Sequence, residues 1–153
     1  MFSKLKKDNQ GFTIIEVLIV LAIAGLIMII VFLAVPALQR NQRNQSFRTQ
    51  ANNIATAYQE VSANKGGAIL AASDSGAVKD AANPRDLTSI TIAPHVAGNV
   101  SITGYTTAII RTNATCAAAD SAVATGGKTS RQIAVYFNIE KGDGNEQIQC
   151  ISS

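Results

Sequence analysis

Hydrophobic and polar positions divide the chain into three stretches. Residues 1–11 are short, polar and basic. From Phe12 the sequence runs FTIIEVLIVLAIAGLIMIIVFLAVPAL, and the 22 residues between Glu16 and Gln39 carry no charge. At a helical rise of about 1.5 Å per residue they span about 33 Å, close to the roughly 30 Å hydrocarbon core of a bilayer. A small domain has no interior for a helix that is apolar on every side, so the run predicts a membrane span. A second, amphipathic pattern follows: Phe47, Ala51, Ile54, Tyr58 and Val61 recur at spacings of 4, 3, 4 and 3. That is one apolar stripe on a polar helix, and Lys65-Gly66-Gly67 is a strong stop signal. One helix is therefore predicted from about Phe12 to Asn64. Its stripe reads as a face for a sheet rather than for a partner helix.

Beyond the helix, residues 66–88 are rich in Ala, Gly, Ser and Asp and predict a loop with at most a short helix. Strand-like runs follow at Ser89–Ala93, Asn99–Thr103, Thr106–Thr112, Gln132–Glu140 and Glu146–Ile151. Alternation is clearest at Ile133, Val135, Phe137 and Ile139, and Lys141-Gly142-Asp143-Gly144-Asn145 is a hairpin connection. A helix followed by consecutive strands predicts an α+β layout, a small antiparallel sheet laid on the helix. Four segments result: 1–11, a leader; 12–38, the apolar half of the helix; 39–64, its amphipathic half; and 65–153, a globular β-sheet region.

Composition sharpens this picture at two points. The net charge of +3 comes from 13 basic and 10 acidic side chains, but residues 1–11 hold three of the lysines and Asp8. Without them the balance is 10 against 9, so the basic character gives no case for nucleic-acid binding. DNA contact is conceivable for an exported chain and unsupported by its charge. The two cysteines, Cys116 and Cys150, lie far apart, with no CxxC and one histidine in the chain, which argues against a zinc site. In an exported chain they read as one disulfide; in a cytosolic chain they would be free thiols.

An ordinary cleaved signal peptide also begins with basic residues, but its apolar stretch is about 7–15 residues long and ends at a small-residue site. Ala22-Ile23-Ala24 resembles such a site yet lies in the middle of the apolar run. Glu16 is the anomaly, a carboxylate at the edge of a membrane helix, costly unless hydrated or paired. Either it reaches the headgroups, or it awaits a cation from another chain.

The order basic leader, Gly11, Phe12, Thr13, Glu16 and unbroken apolar stretch resembles the class III signal of type IV prepilins. The resemblance covers residues 4–35 closely; elsewhere it is one of organisation. It implies that a prepilin peptidase cuts between Gly11 and Phe12, and that Phe12 becomes an N-methylated terminus. It places Glu16 fifth in the mature chain, where, with Phe12, it would serve assembly. Lys4, Lys6 and Lys7 would hold the leader on the cytoplasmic face. Charge alone does not decide orientation, because Arg40, Arg43 and Arg48 follow the span. The family commonly has proline where this chain has Leu33; here Pro36 stands three residues later. Proline removes a helix hydrogen bond and favours a kink, and the family's unwound segment would map to Gly25 through Pro36. The resemblance further implies a disulfide-bounded region near the C-terminus, here Cys116 to Cys150.

The function implied is structural: a homo-oligomeric helical filament for adhesion, twitching motility or DNA uptake, membrane-anchored before assembly and extracellular after it. Partners implied are the peptidase, an assembly ATPase with its inner-membrane platform, membrane lipid, and surface or host-cell contacts. A type II secretion pseudopilin, a minor pilin and a single-span anchored binding domain are the alternatives. No enzyme is expected: His95 stands alone without a nucleophile motif. No cofactor or metal is expected either. Asp143, Asn145 and Glu146 are too few oxygens for a calcium loop and read as a hairpin turn. Arg40, Arg43 and Arg48 read as a solvated helix face.

Overall fold

The computed structural model describes residues 11–118, 123–127 and 131–153. The chain divides into two units, with the boundary between Gln39 and Arg40. Helix α1, Ile14–Asn64, contributes to both.

In the first unit α1 starts on a capping box. The Thr13 N–H and hydroxyl each donate to Glu16 Oε2 at 2.8 Å, and the Glu16 N–H donates to Thr13 Oγ1 at 3.4 Å. Ser/Thr at the cap with Glu three residues on satisfies amides that would otherwise lack partners. The side chains that follow are exposed all round, Phe32 by 75% and Leu33 by 77%. The helix is continuous through Gly25 and Pro36.

In the second unit the amphipathic half of α1 buries Phe47, Ala51, Ile54 and Tyr58. It ends on a Schellman motif: Gly67 N–H donates to Ser62 C=O at 2.8 Å and Gly66 N–H to Ala63 C=O at 3.0 Å. Gly66 has φ +70°, the left-handed conformation this ending requires. A 3-10 turn, Ala72–Asp74, and a short helix α2, Ser75–Ala82, occupy the loop region, and Val78 of α2 is fully buried.

The main sheet contains β1 (Ser89–Pro94), β3 (Thr107–Thr112), β6 (Ile133–Glu140) and β7 (Glu146–Ser152) in the order β1-β3-β6-β7. The β3–β6 and β6–β7 pairs are antiparallel, with Ile110 opposite Val135 and Val135 opposite Ile151. The β1–β3 pair is parallel, so the sheet is mixed and the architecture α+β. Residues 95–106 make the crossover that a parallel pair requires. They include β2, Gly98–Asn99, which joins β5 (Val123–Gly126) and β4 (Ala114–Cys116) in a second, three-stranded antiparallel sheet of order β2-β5-β4.

Two apolar clusters lie on opposite faces of β6. Ile133, Val135, Phe137 and Ile139 pack with the α1 stripe, Leu70, Val78 and Leu87. Between them, Ala134 and Tyr136 pack with Val100, Ile102, Ala114, Ala124 and Cys150. The central strand is therefore covered on both faces. The structure alters two expectations here. Of the expected strand Asn99–Thr103 only Asn99, with Gly98 before it, joins a ladder, and the Ile102 and Gly104 carbonyls bond instead to Asn138 Nδ2, each at 3.1 Å. Val123–Gly126, which lies outside the strand-like runs of the sequence, forms β5 because its Ala124 closes over the second cluster.

Candidate functional site

The sequence-based site residues fall in the first unit and at the end of the sheet. Glu16 is an exposed carboxylate that accepts from Thr13, the cap of its own helix. Phe12 is 89% exposed. Among the described residues nothing demands glycine at position 11 or 25: beyond the immediate neighbours and the helix's own backbone, no atom lies within 4 Å of where a Cβ would stand at either. A glycine inside an exposed helix costs about 1 kcal/mol against alanine. A reason for Gly25 therefore has to come from outside the isolated chain. Lys4, Lys6 and Lys7 lie outside the described residues.

Residues 6–32 match the family model of the prokaryotic N-terminal methylation motif. The chain carries the N-terminal signature of a type IV pilin-like prepilin, with a class III signal sequence. The match covers 27 of the chain's 153 residues, and the rest is described by its own structure. No curated protein and no solved structure matches the chain. The motif belongs to structural rather than enzymatic proteins, and it implies processing by a prepilin peptidase and assembly into a pilus-like filament. The apolar helix that follows it fits membrane anchoring before assembly.

The second unit is tied together by contacts that the sequence pattern did not reveal. Arg40, Arg43 and Arg48, expected as a solvated face, all reach the β6–β7 hairpin. Arg43 pairs with Glu140 at 2.7 Å, Arg48 donates to Gln149 Oε1 at 2.9 Å, and Arg40 donates to Lys141 C=O at 3.3 Å. Asn44 reads the backbone of Glu140 with both ends of its amide, at 2.8 and 3.0 Å. Gln50 does the same for the loop before β1. Its Nε2 donates to Asp86 Oδ2 at 2.7 Å, and its Oε1 accepts from the Asp86 and Leu87 N–H groups at 2.7 and 3.2 Å. Polar residues of α1 from Arg40 to Gln50, before and within the start of the stripe, thus act as clasps.

At the far side of the sheet, Cys116 of β4 and Cys150 of β7 form a disulfide, with a Cα–Cα distance of 5.8 Å. It joins the two sheets. Fully buried Asn138 ties β6 to the crossover: besides the two carbonyls, its Nδ2 donates to Glu146 Oε2 of β7 at 2.7 Å. Glu146 also accepts from the Gly104 N–H at 3.2 Å.

The acidic turn residues do not converge. The Asp143 carboxylate accepts from the Asn145 backbone N–H at 3.0 Å, which, with the Asn145 amide, holds its pKa below the ordinary aspartate value. Glu146 is engaged with Asn138. Among the described residues, no group of three or more His, Cys, Asp or Glu side chains could hold a metal ion. His95 follows β1 in the crossover, and its ring approaches Gly126 of β5.

Proposed function

We propose that this prepilin is a structural subunit of a type IV pilus, cut between Gly11 and Phe12, N-methylated at Phe12 and polymerised into an extracellular filament. The supporting observation is the match over residues 6–32 on an apolar helix that is exposed all round among the described residues. In lipid such helices gain little from one another, since lipid is equally apolar. Out of the membrane they must bury that surface against copies of themselves. Residues 1–11 are the leader, 12–38 the assembly half of the helix, 39–64 its amphipathic half and 65–153 the exported β-sheet region.

Cleavage leaves a charged amine on Phe12, four residues before Glu16. In a stack of parallel helices the amine of one subunit meets the Glu16 carboxylate of its neighbour. In a medium of low dielectric that pair fixes the axial register, and either charge alone is costly to bury. In the isolated chain the carboxylate is held by Thr13, so it enters assembly already ordered rather than bare. Gly25 fits the same reading, as a place where another helix approaches closely. Extraction from the membrane draws on a separate ATPase and platform. Adhesion, twitching motility and DNA uptake are the roles open to such a fibre.

Glu16→Ala tests the proposal. The variant is expected to be cleaved normally and to yield few or no fibres, while Glu16→Gln restores the cap but not assembly. Normal fibres from Glu16→Ala would refute the register role. A pseudopilin or minor pilin would be cleaved alike yet be scarce in sheared surface fibres.

A further inference from the structure

The face of α1 opposite its buried stripe is polar yet uncharged. Around a helix with about 3.6 residues per turn, the positions opposite Phe47, Ile54 and Tyr58 are Gln42, Gln45, Thr49, Asn52, Asn53 and Thr56, and all six are exposed. Between Glu16 and Glu60 the chain has no acidic side chain, and its three basic ones, Arg40, Arg43 and Arg48, turn to the β6–β7 hairpin. The outer face therefore carries no charge over about four turns, roughly 21 Å. The hydroxyls of Thr49 and Thr56 donate back to the Gln45 and Asn52 carbonyls, at 3.0 and 3.1 Å. The side-chain amides of Gln42, Gln45, Asn52 and Asn53 have no partner among the described residues.

A helix face built for water carries Lys and Glu with their i,i+4 pairs. Asn and Thr are weaker helix formers than these, and on a face without packing they have no local advantage. Their spacing points to another helix. Gln42, Gln45, Thr49, Asn52 and Thr56 follow one another at steps of 3, 4, 3 and 4, the seam of a coiled coil, in which polar positions set register. The same steps lead back to Leu38, Val35 and Val31, so one line of positions runs from the apolar half of the helix into the amides. An amide both donates and accepts, so identical faces can satisfy each other. A charged partner or a lipid interior would call for charged or apolar side chains instead. We propose, on the filament reading above, that this seam is a second assembly surface, occupied by the same helix of neighbouring copies of this chain. Hydrogen bonds between amides hold the copies in register there, beyond the apolar half.

Asn52→Asp and Asn52→Ser set a charged change against a neutral one at the same position. Asn52 is exposed in the single chain, so both variants should be cleaved normally and keep the wild-type Tm in detergent micelles. Asn52→Asp should lower the yield of sheared filaments at least tenfold, because it buries a carboxylate with no cation to meet it, while Asn52→Ser keeps most of the yield. Wild-type yield from Asn52→Asp would overturn the proposal. Gln45→Cys reads the burial itself. Cys116 and Cys150 are joined and no other cysteine exists, so the new thiol is the one that a water-soluble maleimide can reach. It should label at least tenfold more slowly in filaments than in the membrane pool of the same cells, and fully once the filaments are denatured. Equal rates in filaments and membrane would overturn the proposal and leave the filament reading standing. A wild-type chain absent from filaments would overturn both.

Discussion

Replacing Cys116 and Cys150 together by alanine removes the covalent join between the two sheets without leaving a lone thiol. The cysteines are 34 residues apart. In the chain-entropy treatment, closing a loop of that size removes about 12.6 cal/mol/K from the unfolded ensemble, or about 3.8 kcal/mol at 25 °C. The unit that contains the bond runs from Arg40 to Ser153, 114 residues. At roughly 2.1 cal/mol/K of unfolding entropy per residue, that loss lowers Tm by about 16 °C. Thermal unfolding of the full chain in micelles, followed by far-UV circular dichroism, measures it. Wild-type protein in excess reductant should fall by a similar amount, since the same link is opened. The second cluster packs around Cys150, so the variant should also expose Tyr136, read as a shift in its near-ultraviolet signal. A fall in Tm below about 4 °C, with the bond shown closed in the wild type, would refute the claim that this link carries the join between the sheets.

Other consequences follow from single groups. Asn138→Ala strips one amide from two carbonyls and a carboxylate and should cost about 2–3 kcal/mol, seen as a lower denaturant midpoint. Arg43→Ala should cost less than about 1 kcal/mol, because its pair with Glu140 is solvent-screened, whereas Asn44→Ala, which unlatches the hairpin backbone, should cost more in the same assay. The hydrogen bond from Lys65 and that from the Ala71 N–H lower the pKa of Asp74 below its ordinary 3.8. Its stabilising contribution is therefore complete above that value and lost as pH falls through the lower folded value. Asp74→Asn should flatten this part of the acid limb in a pH series of midpoints, and an unchanged limb would count against the pairing.

The helix was legible along its whole length because its apolar residues repeat, first without interruption and then at 3.6-residue intervals. The β6–β7 hairpin was legible because Lys141–Asn145 concentrates turn residues between alternating strands. The second sheet was not. Its strands β4 and β5 are three and four residues long, built of Ala, Thr, Gly, Val and Cys, and carry little propensity of their own. They form because Ala134 and Tyr136 of β6 need cover. The parallel β1–β3 pair was not legible because an antiparallel hairpin is the default for adjacent strands, and the crossover through residues 95–106 has no helix to mark it. The arginines of α1 looked solvated because their partners, a backbone carbonyl, Gln149 and Glu140, lie about a hundred positions away in sequence. The cap at Thr13 is a different case. Thr13-Ile14-Ile15-Glu16 before an apolar run is a capping-box pattern, so the local role of Glu16 is written in the sequence itself.

The central claim is that a lipid-soluble helix, freed at a defined peptide bond, becomes the core of a polymer. Intact-mass and terminal-peptide mass spectrometry of filaments sheared from cells tests it most directly. The account predicts a chain that begins at Phe12 and carries one methyl group on its amine. Filaments that lack this chain, or a cellular pool that keeps Met1 and never enters filaments, would contradict it.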